Sequence, residues 1–272
     1  MNETSQPTPY PELNSVLREL VDGVRVALDD AFVGAYVQGS FAVGDFDQHS
    51  DVDFIVAVQS ELSKGQVAKL DALHERLYQL PSTWAQHLEG SYFPTDILRT
   101  VDGRSQPLWF LDHGSRSLVR SDHCNTLVVR QVVRASGIAL AGPSPATLVD
   151  PIPLSALRDE MSATMRDWGH QILADPEPYG NRFYQGYIVL SYCRMLHDLV
   201  RGCPGSKRAG AEWAKSRLDP VWSPLIDRAW EGRPNPAVSV RTPADPVDFE
   251  RTLAFVAYVL HETDRYLAAE AL

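Results

Sequence analysis

The chain has 272 residues, 44% of them hydrophobic and 22% charged, with 25 Lys+Arg against 35 Asp+Glu and a formal net charge of −10. That apolar content excludes a disordered chain. The charge excludes a general nucleic-acid binder, which needs an excess of cations against phosphate, and favours cationic partners instead.

At roughly 100–200 residues per domain, the length fits one large domain or two modest ones. Cys124, Cys193 and Cys203 make an odd count without CxxC spacing, as expected in a reducing compartment. The first residues, MNETSQPTPYPEL, lack the basic and apolar regions of a signal peptide. No apolar run approaches the ~20 residues that span a bilayer. The expectation is a soluble, cytoplasmic protein with no nucleic-acid and no membrane partner.

In chain order, Leu13, Val16, Leu17, Leu20, Val21, Val24 and Leu28 recur at helical spacing and predict an amphipathic helix over 12–30. Val33–Val37 reads as a short strand broken by Gly39 and Ser40, followed by a turn-rich stretch, Phe41–Ser50. Asp51–Val58 (DVDFIVAV) is rich in β-branched residues and reads as the next strand. Leu62, Val67, Leu70, Leu73 and Leu77 mark a helix, and His87–Tyr92 reads as a third strand. Residues 122–136 read as a helix and Gly137–Gly142 as a last short strand.

The proline cluster from Pro143 to Pro153 is the candidate boundary, giving domains 1–150 and 151–272. Beyond it the pattern is helical throughout: 154–172, 183–202, 206–218, and a last helix on Phe249, Leu253, Val256, Leu260, Thr263 and Leu267. Residues 232–248 are Pro-rich and read as a loop. The fold class is therefore α+β, strands with helices first and an all-α bundle second.

The stretch that carries chemistry is Gly39-Ser40, ten residues, then Asp51-Val52-Asp53. Side chains alternate along a strand, so Asp51 and Asp53 project to one face while Val52 and Phe54 point to the core. Two adjacent carboxylates repel unless a cation sits between them. Mg²⁺ suits the position, since it takes oxygen ligands and is usually held by one or two carboxylates plus substrate phosphates. Gly39 lets backbone approach a ligand, and free N–H groups there with the Ser40 hydroxyl can receive a triphosphate. Ser50 offers another donor. Glu89, alternating with His87 and Ser91, converges on the pair if its strand lies beside theirs. It would then complete the metal site or take a proton from an attacking hydroxyl.

GSFAVGDFDQHSDVDFIV resembles the nucleotidyltransferase signature of the DNA polymerase β-like superfamily. More narrowly, the chain resembles the aminoglycoside adenylyltransferases of the streptomycin/spectinomycin type. The resemblance extends through the linker ALAGPSPATLVDPIP and the helical stretch VLSYCRMLHDLVRGCPGSKRAGAEWAKSRLDPVWSPLI, from about residue 33 to about residue 230. It implies an N-terminal nucleotidyltransferase domain with a mixed sheet, a helical C-terminal domain, and ATP and Mg²⁺ as co-substrate and cofactor. It also implies transfer of AMP to a drug hydroxyl with release of pyrophosphate. Under it, Ser40 and Ser50 match phosphate-contacting positions, Asp51 and Asp53 the magnesium ligands, and Glu89 the catalytic base. Arg194 and Lys207 match basic residues of the helical domain that contact the nucleotide, and Trp230 an aromatic residue near it. Asn125 and Arg130 lie near a further nucleotide position.

Residue chemistry bears on these assignments. Arg194 sits in a largely apolar helix and needs a partner, either a structural ion pair or a triphosphate. Lys207 follows Ser206, a good N-cap, and a lysine there opposes the helix dipole unless an anion is present. Trp230 reads as core or as an adenine platform.

The streptomycin-type enzymes place acids just before the second C-terminal helix to grip a cationic drug. Here Asn181–Tyr187 carries one arginine and no acid. Asp167, Asp175, Glu177 and the aromatic Trp109 are the other acceptor candidates. The expected partners are ATP and a cationic, aminoglycoside-like acceptor. Alternatives are a nucleotidyltransferase acting on another small-molecule or protein hydroxyl, or a non-catalytic, antitoxin-like module of the same fold. A metal-dependent hydrolase is a third class, but His49, His87, His113 and His123 show no ligand spacing in the sequence.

Overall fold

In the computed structural model, which describes residues 6–47, 50–233 and 239–270, the strand Val52–Val58 is buried along its whole length apart from Asp53. This strand (β2) is central because both of its faces are apolar. It pairs antiparallel with β1 (Phe32–Val37) on one side and parallel with β3 (Leu88–Pro94) on the other. Two short strands extend the sheet beyond β3, β4 (Leu108–Leu111) and β5 (Val119–Ser121), and β6 (Ile138–Ala141) closes the far edge beside β1.

Alternation sorts the side chains into two cores. Val37, Phe54, Val56, Val58 and Tyr92 pack beneath the helices α1 (Pro11–Leu28) and α3 (Lys64–Tyr78). Tyr36, Ile55, Ala57 and Phe93 pack on the opposite face with Leu98, Val133, Leu148 and Val149. The parallel crossover from β2 to β3 runs through α3. Its start is set by a capping box, in which Ser63 Oγ accepts from Gln66 N at 3.3 Å and Gln66 Oε1 from Ser63 N at 2.9 Å.

Three local departures from the sequence pattern have physical causes. The break at Gly39 is the start of a five-residue helix, α2 (Gly39–Val43), anchored by buried Phe41, which stacks on Phe46 and meets Tyr10 and Trp84 edge-on. The helix expected from residue 122 begins at Leu127 (α5, Leu127–Ser136; α4 is Thr95–Arg99). Asp122–Asn125 is a turn instead, closed by Asn125 N donating to Asp122 O at 2.8 Å. Strands β4 and β5 are too short, and β5 too exposed, to stand out as alternating runs.

The chain divides into two units, Met1–Ile152 and Pro153–Leu272. The second is helical: α6 (Leu154–Ala174), α7 (Arg182–Arg201), α8 (Lys207–Arg217), α9 (Ser223–Glu231) and α10 (Pro246–Glu270). The pattern of the sequence does not single out α9. At its centre lies α7, whose Ile188, Val189, Leu190, Tyr192, Cys193, Leu196 and Leu199 are buried against the other four. Gly210 permits the approach of α8, since a Cβ there would press on the backbone of Arg194. No helix among the described residues is long and apolar enough to cross a membrane.

Replacing Gly210 with Val should therefore push α8 off α7 and cost ~1–3 kcal/mol, the usual penalty of overpacking. Thermal melts should show a loss for Gly210→Val well beyond that of Glu212→Val, an exposed position on the same helix. Equal melting temperatures would contradict the close-packing assignment.

Candidate active site

The register of the parallel pair places Asp53 opposite Glu89. Paired residues of neighbouring strands share a face, so both carboxyls leave the sheet on the same side at the start of β2 and β3. Asp51 lies one residue before β2 rather than within it, and is exposed.

Beside them the chain leaves β1 through a tight turn. Gln38 N donates to Asp53 O at 2.9 Å, and Gly39 takes φ +63°. A Cβ on Gly39 would collide with the Asp53 carboxylate. Glycine is required twice over, by the left-handed backbone and by the approach of the acid. Ser40 follows in the first turn of α2, and its carbonyl accepts from Asp45 N at 3.1 Å. The Ser50 hydroxyl accepts from Asp47 N at 2.9 Å and so braces the loop that leads into Asp51.

Negative charge accumulates here. The carboxyl of Glu89 is pushed up to about 8, first by burial and then by the charges of Asp53, Asp51 and Asp112. A weak hydrogen bond from Cys124 Sγ to Glu89 Oε1, 3.8 Å, acts in the opposite direction. The buried Cys124 thiol is itself pushed well up by burial and by the acids beside it. Carboxylates that crowd one another and offer hard oxygen donors suit Mg²⁺ in donor type.

Sequence spacing does not reveal that histidines join this cluster. His113 Nε2 lies 3.3 Å from Asp51 Oδ1 and 2.7 Å from His87 Nδ1, and His123 Nε2 lies 3.9 Å from Glu89 Oε1. Asp112, His113, His123 and Cys124 arrive on the chain segments that follow β4 and β5. A sequence signal for that hairpin was available only in the apolar run LWFL. His49 lies outside the described residues.

Asn125 and Arg130 are structural. Both are buried. Arg130 donates to Leu98 O, Ile97 O and Asn125 Oδ1 at 3.2, 2.9 and 2.7 Å, while Asn125 Nδ2 donates to Gly103 O and Gln106 O. Trp109 is half-buried, with the Arg120 guanidinium 5.4 Å from its ring centre.

In the second unit, Arg194 is half-buried on α7, and its charge acts on Asp198 one turn further on. Asp198 is 4% exposed and accepts from Gly205 N at 2.9 Å and from His197 at 2.8 Å. That fixes the loop before α8, where Ser206 Oγ accepts from Ala209 N at 3.0 Å as the N-cap. Lys207, first in the helix, holds its Nζ 4.8 Å above the Tyr187 ring. Two cations not singled out in the sequence lie near the Trp230 ring, Arg208 at 5.2 Å and Arg233 at 4.2 Å from its centre. Asp167, Asp175 and Glu177 are exposed.

A glycine turn, an aspartate on β2 with another just before it, and a glutamate on the parallel neighbour are the arrangement expected from the nucleotidyltransferase signature. Comparison with known proteins gives the narrower kinship. Residues 147–254 match the family of the aminoglycoside adenylyltransferase C-terminal domain. Over 226 residues the chain is 22% identical to the aminoglycoside (3'')(9) adenylyltransferase of Shigella flexneri, covering 79% of this chain and 83% of that one. The enzyme of the same name from Escherichia coli is likewise 22% identical, with 79% and 82% covered. The crystal structure of the spectinomycin adenyltransferase AAD(9) of Enterococcus faecialis, solved with ATP and spectinomycin, shares the fold. Its TM-score is 0.67 at 13% identity, over 91% of this chain and 98% of that one. The chain is thus similar to aminoglycoside adenylyltransferases over most of its length, with their fold and a match to their C-terminal domain.

Because folding raises the Glu89 carboxyl from its ordinary 4.5 to about 8, the folded state holds that proton more tightly than the unfolded state does. The stability this lends is full at low pH and is lost as pH rises through about 8. In metal-free buffer, Glu89→Gln should gain on the wild type between about pH 5 and about pH 9, by an amount of order a few kcal/mol. Melting curves across that range test it; parallel curves for the two proteins would refute the buried, crowded carboxyl.

Proposed function

We propose that this chain transfers AMP from ATP to a hydroxyl of an aminoglycoside in a Mg²⁺-dependent reaction that releases pyrophosphate. The observation that carries the reading is the register of Asp53 against Glu89, with Asp51 close enough to raise the same carboxyl. Asp51 and Asp53 would hold Mg²⁺, with Glu89 at its edge. When bound, the ion neutralises phosphate charge and polarises the α-phosphoryl group.

The rest falls to the chain's own groups. A carboxyl crowded by like charges is a stronger base than an ordinary glutamate, and Glu89 takes the proton of the acceptor hydroxyl at a carboxylate oxygen. The freed oxygen attacks the α-phosphorus in line. The bond from that phosphorus to the bridging oxygen breaks, and pyrophosphate leaves with the electron pair. Gly39 backbone and the Ser40 and Ser50 hydroxyls take phosphate oxygens. In the helical unit, the family resemblance makes Arg194 and Lys207 the candidates for the pyrophosphate charge and Trp230, with the Arg208 and Arg233 guanidiniums near its ring, the candidate for the adenine.

The acceptor side of the reading rests on the named relatives and on the acidity of the chain. Asn181–Tyr187 contributes no acid. It opens α7 with an aromatic cluster in which Phe183 stacks on Tyr187 at 5.3 Å and meets Tyr184 edge-on. An acceptor with an apolar ring face and few cations fits that surface better than a strongly cationic one.

Incubation with Mg·ATP and an aminoglycoside panel should add one adenylyl group to a drug, read by mass spectrometry, with one pyrophosphate released per transfer. Glu89→Gln should lose at least ~10²-fold in turnover while ATP binding, measured by calorimetry, stays near wild type. Full transfer in that variant would overturn the base assignment. Pyrophosphate release without any adenylylated drug would move the acceptor outside the aminoglycosides.

A further inference from the structure

We propose that Asp51, His87 and His113 form a transition-metal site, selective for Zn²⁺ and its like, set beside the oxygen-donor cluster. Each offers one ligand atom, and the three atoms lie within 4.8 Å of one another. The separations are 3.3 Å from Asp51 Oδ1 to His113 Nε2 and 2.7 Å from His113 Nε2 to His87 Nδ1. A tetrahedral zinc with bonds of about 2.0–2.1 Å sets its ligand atoms roughly 3.3 Å apart. One edge already matches, the imidazole pair would open by roughly 0.6 Å to reach that spacing, and the Asp51–His87 edge lies within 4.8 Å.

Backbone on both sides fixes the pair. His87 ends a 3₁₀ turn, Thr83–His87, that runs directly into β3. His113 sits in the turn after β4, where Asp112 Oδ1 accepts from His113 N at 3.0 Å and Asp112 O from Ser115 N at 2.9 Å. The rings lie 4.9 Å apart and are tilted by 33°. Two facing ring nitrogens can share only one proton between them, so the contact uses one lone pair where a metal would use two.

Donor chemistry decides which ion goes where. Mg²⁺ takes oxygen and rejects imidazole, whereas zinc, cobalt and nickel favour nitrogen. Two imidazoles and one carboxylate with an open fourth position are a usual zinc set. The neighbouring group Glu89, His123 and Cys124 is looser, with separations of 3.9 and 3.8 Å, and its thiol is buried and held protonated. Since Asp51 serves both sites, zinc here takes a ligand from the magnesium cluster and opposes adenylyl transfer. That consequence rests on the proposed function; zinc binding itself does not.

The metal-stripped full-length protein should bind one Zn²⁺ in competition with a chromophoric chelator, in the presence of excess Mg²⁺. His87→Gln and His113→Gln should each weaken zinc at least tenfold, and Cys124→Ser should leave it unchanged. Co²⁺ bound to the wild type should show tetrahedral d–d bands without a thiolate charge-transfer band. Wild-type zinc affinity in both histidine variants would overturn the site, as would a loss confined to Cys124→Ser or a thiolate band with Co²⁺. The cobalt spectrum needs no variant, so a misfolded substitution does not rescue the proposal. Zinc bound as expected in a protein that adenylylates nothing would remove the proposed function and leave this site standing.

Discussion

Everything in the first unit hangs on the register of β2 against β3. A slip of one residue would turn Glu89 to the α1/α3 face and expose Leu88, Gly90 and Tyr92 to the other. The cores on the two faces forbid that slip, since Phe54, Val56 and Tyr92 fill one and Ile55, Ala57 and Phe93 the other. The same packing that stabilises the sheet therefore forces two like charges side by side at its edge. Burial prevents water from screening them, and the result is a carboxyl held near 8. Repulsion of this kind has to be overcome by the rest of the fold, and a cation that relieves it binds with the folding energy already spent in its favour.

Much of this was legible in the sequence because it rests on local signals. The DVDFIVAV run, Gly39-Ser40 and the acid of LEGSY each announce themselves by composition and alternation. What local pattern does not carry is pairing partner and direction. Glu89 joins the aspartates only because β3 runs parallel beside β2. The hairpin of β4 and β5 was hidden for a related reason: strands of four and three residues give alternation too little length to register. Yet that hairpin delivers Asp112, His113, His123 and Cys124, and so turns an oxygen cluster into one with nitrogen and sulfur at its margins. Ser50 is a smaller instance. Its type and place point to phosphate, and its hydroxyl also holds the loop through Asp47 N.

The helical unit shows the same division between what residue types disclose and what packing adds. Arg194 needed a partner in an apolar helix, and the charge it meets is Asp198, one turn along. Burial raises the Asp198 carboxyl while His197, Arg194 and Gly205 N lower it. A buried acid satisfied on three sides behaves as a clamp on the Gly202–Ser206 loop. The clamp sets where α8 starts, and hence where Lys207 stands with its ammonium over Tyr187. A lysine at a helix start works against the dipole. Its position is held by the cap and the clamp behind it, and an anion at that end would turn the opposition into attraction. Arg208 and Arg233, both near the Trp230 ring, add positive charge to the same unit.

The net charge of −10 takes on a local meaning from these two halves. Acids gather at the start of β2 and β3, while the helical unit presents cations around its aromatic residues. A cation held at the acidic cluster would lower the repulsion that a polyanion such as a triphosphate meets there. Which cation is then a question of donors more than of charge, because three carboxylates attract any divalent ion. Oxygen alone admits magnesium. Imidazole beside the shared Asp51 admits its competitors, and the choice between them turns on two histidines whose meeting depends on how β4 pairs with β3.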